Sequence, residues 1–293
     1  MIKYKNRKTL DRFPLPFSQF GLRRLNSAYS GAAVNVRRSS DNATRDIGFY
    51  GDLLDIVALL NFCGAGNGFV VTWYDQSGYG RHYTQATTGA QPTIVSSGAL
   101  VTMNNQAAMS FNGTTQFLGG NTAALSFMNN APGQTVIIAI KMLANVTTNL
   151  CMFCTSANAA ASTPRTYFGL QTTNRYRCVT RSTDGGSALT SASAADNVYT
   201  NGTTFIASQI INYPTQTVTT YKNGTQDYTA SGTMAVANTT DSTNSAATAI
   251  GCFTNGSSFI NAAIGEVVLI NKYPDIITRQ SIENGMRLFY GTA

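Results

Sequence analysis

Charged side chains are scarce in this chain: Asp, Glu, Lys and Arg make up 11% of its 293 residues, whereas soluble domains usually carry about 25%. Serine, threonine, asparagine and glycine supply most of the remaining polar positions. A neutral surface rich in hydroxyl and amide groups is common in β-rich extracellular and virion proteins, and it suits hydrogen bonding to sugars. The length permits one large all-β domain whose core needs no disulfides.

Histidine is nearly absent, and the cysteines have no metal-binding spacing. The chain has one histidine, His82, and five cysteines, of which only Cys151 and Cys154 are closely spaced. A structural zinc site needs four ligands, which this set does not supply. The sequence therefore predicts buried free thiols and neither a metal site nor a cofactor. Calcium is an open alternative at a cluster of carboxylates described below, because carboxylates and loop carbonyls are its ligands.

Long apolar runs are also missing. No stretch approaches the roughly 20 apolar residues of a transmembrane helix, so membrane insertion is not expected. The basic residues 1–8 are not followed by the apolar run of a secretion signal. We therefore expect synthesis in the cytoplasm, with release by another route, such as lysis of a phage-infected host, if the protein acts outside a cell.

The net charge of +7 is concentrated towards the N-terminus, and we interpret residues 1–21 as a basic arm. Two prolines between Phe13 and Phe17 exclude helix there. Phe13, Leu15 and Phe17 are predicted anchor residues that dock on another chain. A basic arm can bind nucleic acid or an acidic protein partner. A solvated tail is the alternative, because basic runs carry little specificity, and nucleic acid is not an expected partner. The basic residues of the arm are Lys3, Lys5, Arg7, Lys8 and Arg12.

Hydrophobic periodicity predicts a short buried helix and then many strands. Residues 53–63 fit the helix, which would begin near Asp52 and end at Gly64. Residues 69–74, 135–140, 204–210 and 263–271 are predicted strands. The Asn223-Gly224 pair predicts a type I′ hairpin, and an amphipathic helix over about 276–289 should end at Gly291. Many short strands joined by turns predict a β-sandwich.

Three polar sequences in the N-terminal third carry a family resemblance. They are Ser-Ala-Tyr-Ser-Gly at 27–31, Arg-Arg-Ser-Ser-Asp-Asn-Ala-Thr-Arg-Asp-Ile-Gly at 37–48 and Trp-Tyr-Asp-Gln-Ser-Gly-Tyr-Gly-Arg-His at 73–82. Together they resemble the N-terminal part of the catalytic domain of the α-L-arabinofuranosidase B family, over residues 22–85. Beyond residue 90 the chain is similar to concanavalin A-like, laminin-G-like sandwiches. The resemblance points to sugar. The predicted helix over 53–63 is too short to own a core, so we expect residues 22–90 to pack on a sandwich formed by residues 91–293.

The same resemblance implies that the catalytic acids of the family are missing. The family's nucleophilic glutamate follows an Asn-Ala pair after a cysteine-containing strand, and the matching position here is Ala160. Its general acid lies in a glycine-rich turn, and the matching turn over 251–256, which contains Thr254, has no acid. Retaining hydrolysis needs two carboxyl groups about 5 Å apart. We therefore favour a protein that is not an enzyme, with no catalytic residues.

Charged and aromatic residues of these motifs are the candidate site. An ion-pair network of Arg37, Arg38, Asp41 and Asp46 would pin two loops, with arginine forks on the carboxylates; contact with sugar or with calcium is the alternative. Aromatic faces stack on sugar rings, whereas the single tryptophan, Trp73, is interpreted as core. The predicted glycan contacts are Asp75, Tyr79, His82 and Tyr83.

The function that we predict from the sequence is that of a non-catalytic phage virion protein, as a tail, fibre or capsid-decoration subunit. The arm would anchor it to other virion proteins, and the sandwich would bind host-surface glycans, as a homo-oligomer located in the virion. Two alternatives are kept: an active α-L-arabinofuranosidase-type glycoside hydrolase, and a purely architectural decoration subunit.

Overall fold

The computed structural model describes residue 11 and residues 17–156, 164–183, 188–192, 199–234, 239–240, 247–254 and 256–292. Strands dominate these residues, and nineteen of them join in one continuous hydrogen-bonded network. The predicted fold class is confirmed: an all-β sandwich with a helix near its C-terminus. Among the described residues, no helix is long and apolar enough to cross a membrane.

The first part of the chain forms short strands and short helices. Its strands are β1 Ser18–Gly21, β2 Val34–Arg38, β3 Thr44–Ile47, β4 Phe49–Tyr50, β5 Leu53–Leu54, β6 Gly68–Trp73, β7 Tyr83–Thr84, β8 Thr93–Ser96, β9 Ala99–Leu100, β10 Thr102–Met103, β11 Gln106–Ala107, β12 Met109–Asn112 and β13 Leu118–Gly120. Helix α1 spans Ile56–Cys63, and two 3₁₀ helices span Thr88–Ala90 and Thr122–Met128.

The second part contributes the longer strands and the second helix. These elements are β14 Gly133–Met142, β15 Leu150–Ser156, β16 Pro164–Gln171, β17 Arg175–Thr180, β18 Leu189–Ala192, β19 Thr204–Asn212, β20 Thr217–Lys222, β21 Thr225–Ser231, β22 Ala247–Ile250, β23 Asn261–Ile270 and α2 Ile276–Tyr290. The strands predicted from periodicity are all present, and Asn223 and Gly224 both have the positive φ of the predicted hairpin turn.

Two layers enclose the core. The front layer runs in the order β3, β2, β6, β7, β13, β22, β15, β16, β17 and β18. In the back layer β1 and β12 pair with β23, which is followed by β14, β19, β20 and β21. Apolar side chains of both layers, such as Val70 and Phe153 in front and Val136 and Leu269 behind, form one buried cluster. Residues 34–84 therefore contribute strands to the same sheet as the later residues.

Helix α1 is shorter and more exposed than predicted. Leu53 and Leu54 form β5, and the helix begins after Asp55, whose Oδ1 accepts a hydrogen bond from the Ala58 N–H at 2.9 Å. Gly64 ends it, as predicted. The run of apolar residues does not indicate which side of the helix faces solvent. In the structure, only Leu59 and Cys63 of the helix are buried.

Helix α2 covers the outer surface of the back layer. Asp275 caps its first turn, and Gly291 ends it in a left-handed conformation with φ 60°. Ile282, Met286 and Tyr290 pack on apolar side chains of the sheet. Two ion pairs lie under it: Arg279 with Glu283, and Arg23 with Glu266, whose Nε and Oε2 atoms are 2.8 Å apart.

Candidate functional site

Asp75 organises the turn that follows β6 from a buried position. Its side chain is 1% exposed. Its oxygens accept hydrogen bonds from the Gln19 N–H at 2.9 Å, the Ser77 N–H at 2.9 Å, the Arg81 N–H at 3.2 Å and the Ser77 hydroxyl. A carboxylate surrounded by these donors has no surface left for a sugar, so the prediction of a glycan contact at Asp75 is wrong.

Tyr83 is also not a contact, because strand alternation turns it inward. It is fully buried against Phe20, with ring centroids 5.1 Å apart. Trp73 lies in the same core, 5.6 Å from Phe20, as its interpretation as a core residue requires. Phe17 packs against Phe127 within this chain and is 6% exposed. It is therefore not available as an anchor to another chain, whereas Phe13 and Leu15 lie outside the described residues.

The four residues of the predicted ion-pair network separate into three groups. Arg38 forms a fork with Asp41, with Nε to Oδ1 at 2.8 Å and Nη2 to Oδ2 at 2.6 Å, and this pairing holds the pKa of Asp41 well below its usual value. Arg37 instead donates to Gln91 and Asn42. The sequence predicted more ion pairs among these four residues than the structure contains, because closeness in sequence does not reveal the neutral partners of Arg37. In the described part of the chain, no three His, Cys, Asp or Glu side chains converge as a metal site.

Asp46 belongs to a polar and aromatic group on the front layer. Its Oδ1 accepts from Asn35 Nδ2 at 2.7 Å and from the Tyr74 hydroxyl at 2.9 Å. Burial and this hydrogen bond raise the pKa of Tyr74 to about 12. The Tyr74 ring meets His82 edge-on, with centroids 5.0 Å apart, and burial lowers the pKa of His82. Tyr79 projects nearby on its loop and is 57% exposed.

Strand register extends this group into a row that crosses the whole front layer. Residues directly opposite each other on paired strands point to the same face. Their neighbours along each strand belong to the core, so this row lies on the face turned away from the core. We call it the outer row: Asp46, Asn35, Thr72, Thr84, Gly119, Ala249, Cys154, Tyr167, Val179 and Thr190.

The two halves of the outer row differ in chemistry. Asp46 and Thr84 are exposed, and Asn35, Thr72 and Gly119 are half-buried. A Cβ atom added at Gly119 would meet nothing nearer than the Thr84 carbonyl oxygen at 3.8 Å, so space lies above this part of the sheet. The first half can offer hydroxyl, amide and carboxylate groups to a polar ligand.

The second half is apolar from Ala249 to Val179 and lies beside buried thiols. Cys151, Cys154 and Cys252 are buried and free, as predicted. Cys151 and Cys154 pack with Tyr167, whose hydroxyl donates to the Leu150 and Leu170 carbonyl oxygens at 2.7 and 2.9 Å. Phe253 lies edge-on to the Tyr167 ring at 4.9 Å. Burial raises the pKa of Cys151 well above its usual value, which keeps the thiol protonated.

One of the two positions that the resemblance matched to catalytic acids, the turn after β22, lies beside this apolar half, where Phe253 meets the Tyr167 ring. Ala160 lies outside the described residues. The turn after β22 is described except for residue 255, and its sequence contains no carboxylate. The Phe253 N–H closes the turn by donating to the Ser257 carbonyl oxygen at 2.8 Å. Sequence reasoning missed Asn35 and the outer row itself. The alternation Val-Asn-Val-Arg over 34–37 was the available signal for an outward-facing Asn35.

Comparison with known proteins finds a family match over the segment that contains the first half of this row. Residues 17–137 match the family model described as α-L-arabinofuranosidase B, catalytic. The probable α-L-arabinofuranosidase B of Aspergillus clavatus is 35% identical over 126 residues, which are 39% of this chain and 23% of that protein. The α-L-arabinofuranosidase B of Aspergillus oryzae is 42% identical over 69 residues, 23% of this chain and 14% of that protein. The matched part of this chain thus covers less than a quarter of the length of each of these two relatives.

Solved structures extend the likeness of fold to most of the chain. A crystal structure of an arabinofuranosidase complexed with arabinofuranosyl-α-1,2-xylobiose superposes with a TM-score of 0.66 at 17% identity, covering 92% of this chain and 62% of that one. A second arabinofuranosidase structure, soaked with a cyclic sulfate inhibitor, gives a TM-score of 0.64 at 16% identity, with the same coverage of both chains.

These findings overturn the predicted virion function and virion location. The relatives are fungal proteins named as arabinofuranosidases, not phage tail, fibre or capsid components. The sequence pattern of a neutral β-rich surface was shared by both classes and could not separate them. Residues 17–137 are similar to the catalytic domain of α-L-arabinofuranosidase B, and the sandwich as a whole has the fold seen in solved arabinofuranosidase structures.

Proposed function

We propose that this chain acts on α-L-arabinofuranosides as a glycoside hydrolase domain of the arabinofuranosidase type, with the sugar bound on the outer row. The observation that carries the proposal is the family match over residues 17–137. The matched segment supplies the first five positions of the outer row, from Asp46 to Gly119. The polar half of the outer row therefore lies within the matched segment.

The polar half of the outer row suits a pentofuranosyl group. Carbohydrate hydroxyls both donate and accept hydrogen bonds, and Asp46, Asn35 and Thr84 offer complementary groups. Tyr74 and His82 add aromatic edges beside them, and aromatic side chains combine apolar area with a polar tip. Gly119 leaves room for a ring to approach the sheet. We assign the sugar to this half.

Hydrolysis also needs two carboxyl groups, about 5 Å apart for retention or about 6.5–9.5 Å apart for inversion. Asp46 lies six strands from Cys154 along the outer row. At about 4.8 Å per strand the separation is about 29 Å, so Asp46 cannot act together with an acid beside Cys154. Asp75 is buried and fully hydrogen-bonded. Three further acids, Asp184, Asp196 and Asp241, flank β17, β18 and β22 in sequence and lie outside the described residues.

A second candidate function is binding of arabinofuranosides without cleavage. It is favoured by one observation: Ala160 and an acid-free turn occupy the positions that the resemblance matches to the catalytic acids. Without a carboxylate nucleophile the covalent route is lost. The two candidates share the same sugar and the same face of the sheet, and they differ only in turnover.

The experiment measures both properties on the same protein. Release of nitrophenol from 4-nitrophenyl α-L-arabinofuranoside reports hydrolysis, and calorimetric titration with arabinofuranosyl-xylobiose reports binding. We expect binding to the unaltered chain and its loss in Gly119→Phe, because the new ring fills the space above the row. Gly89→Phe is the matched control, since a Cβ atom there meets nothing within 4 Å and Gly89 lies off the row.

The outcomes separate the candidates. Turnover that survives Gly89→Phe and is lost in Asp184→Asn, Asp196→Asn or Asp241→Asn supports the hydrolase. Binding without turnover supports the second candidate. Absence of both binding and turnover would contradict the proposal. Binding that is unchanged in Gly119→Phe would show that the sugar does not bind on the outer row.

A further inference from the structure

The turn that follows β6 presents one exposed aromatic ring, Tyr79, to which the proposed function gives no ligand. Tyr79 is 57% exposed. The turn stands at the end of β6 and β7, the two strands that carry Thr72 and Thr84 of the outer row. We propose that Tyr79 is the platform for a second sugar, a neutral pyranose ring to which the arabinofuranosyl group is attached. This inference rests on the proposed function and adds the class of sugar beyond the arabinose.

Hydrogen bonds fix the backbone on both sides of Tyr79. Asp75 accepts from the N–H groups of Ser77 and Arg81 at 2.9 and 3.2 Å. The Tyr79 N–H donates to Ser77 Oγ at 3.3 Å. The ring is therefore exposed on a turn whose backbone is held from beneath by a buried carboxylate.

Asn121 connects this turn to the outer row. Its Nδ2 donates to the Gly80 carbonyl oxygen at 2.8 Å, and its N–H donates to the His82 carbonyl oxygen at 2.9 Å. Asn121 follows Gly119 by two residues and His82 precedes Thr84 by two. At about 3.3 Å per residue, both lie about 7 Å from the row along their strands. The turn is thus the neighbouring surface for a sugar that binds at Gly119.

Arg81 orients the Tyr79 ring. Its guanidinium carbon lies 4.5 Å from the centroid of that ring and 3.8 Å from the centroid of Phe17. Its Nη1 also donates to the Phe17 carbonyl oxygen. A tyrosine side chain that is already ordered loses little conformational entropy when it binds a ligand. Since Arg81 lies over one face of the ring, the opposite face is the one available to a sugar.

The chemistry of this surface favours a neutral pyranose. The face of an aromatic ring carries the negative part of its quadrupole, which attracts the C–H groups on the flat side of a pyranose. A uronic acid is disfavoured, because the Arg81 guanidinium already lies against two rings and a carbonyl oxygen. The exposed carboxylate of Asp46 on the outer row would also repel a second carboxylate.

The test compares two ligands that share the arabinose and differ in the pyranose. Methyl α-L-arabinofuranoside has no pyranose, whereas arabinofuranosyl-xylobiose has one attached directly to the arabinose. We expect Tyr79→Ala to weaken binding of arabinofuranosyl-xylobiose about 5- to 10-fold in calorimetric titration and to leave binding of the methyl glycoside unchanged. Tyr79→Phe, which keeps the ring, should bind both ligands as the unaltered protein does. If the protein cleaves the glycosides, the ratio of their kcat/KM values replaces the ratio of their Kd values.

The matched control is Leu288→Ala. Leu288 is 86% exposed on α2, which covers the back layer on the side opposite to the outer row, so its loss should change neither affinity. Failure of the unaltered chain to bind either glycoside would overturn the proposed function and this inference with it. Three results would overturn this inference alone: equal weakening for both glycosides in Tyr79→Ala, unchanged binding of arabinofuranosyl-xylobiose in that variant, or an effect of the same size in Leu288→Ala.

Discussion

At the scale of single residues, burial changes the meaning of the most conspicuous carboxylate. Asp75 stands in a motif that resembles an enzyme's, yet it stabilises a turn by accepting hydrogen bonds from β1, Ser77 and Arg81. A buried carboxylate that accepts hydrogen bonds from four donors stabilises the fold. Its loss should therefore affect folding before it affects any ligand.

We predict that Asp75→Ala lowers the free energy of unfolding by about 2–4 kcal/mol, because hydrogen bonds to charged groups contribute about 1.5–3 kcal/mol and the buried donors would be left unpaired. Urea denaturation followed by fluorescence measures the change. Asp41→Ala is the control: its pairing with Arg38 is exposed and screened by solvent, so a similar loss there would contradict the interpretation.

His82 gives a pH dependence at the same scale. Its Nδ1 accepts the Asp75 N–H at 3.1 Å, and burial lowers its pKa below the usual 6.5. The unfolded chain therefore binds the proton more readily, so this contribution to stability is complete above pH 6.5 and is lost as the pH falls. We expect the melting temperature of His82→Gln to depend less on pH than that of the unaltered protein between about pH 7 and 5. Parallel curves would contradict this assignment.

At the scale of secondary structure, helix α2 is held by more than apolar contact. Arg279 and Glu283, which are one helical turn apart, form an ion pair that is almost fully buried between helix and sheet. The guanidinium also lies over the Tyr221 ring, 3.7 Å from its centroid. Removing one partner of such a pair leaves an uncompensated charge, whereas replacing both by apolar groups often costs little.

We therefore predict that Arg279→Met destabilises the protein by about 3–5 kcal/mol, and that the double substitution Arg279→Met with Glu283→Leu recovers most of that loss. Chemical denaturation of the three proteins measures both values. If the double variant were less stable than the single one, the helix would depend on the ion pair itself and not on burial of apolar surface.

At the scale of the whole molecule, strands from the two sequence regions pair in the same sheet. Strands β2, β6 and β7 from the first region pair into the front layer through β13, and β1 pairs with β23 in the back layer. Phe20 and Trp73 fill the core between the layers. We expect residues 86–293 expressed alone to lack a cooperative thermal transition by near-ultraviolet circular dichroism, whereas removal of residues 1–10 should preserve it. A folded fragment of either region would contradict this view.

The sequence by itself determined the fold class, most strands, the Asn223-Gly224 turn and both ends of the C-terminal helix region, because alternation, turn residues and caps act over a few neighbouring positions. It also located the family resemblance and the free thiols. Only the tertiary structure decided that Asp75 and Tyr83 face inward, that Arg37 pairs with Gln91, and that Asn35, Thr84 and Gly119 share a row with Cys154. A period of two identifies the faces of a strand but not the partner strand. Distant segments become neighbours only through pairing across the sheet, and their burial is set by what packs above them.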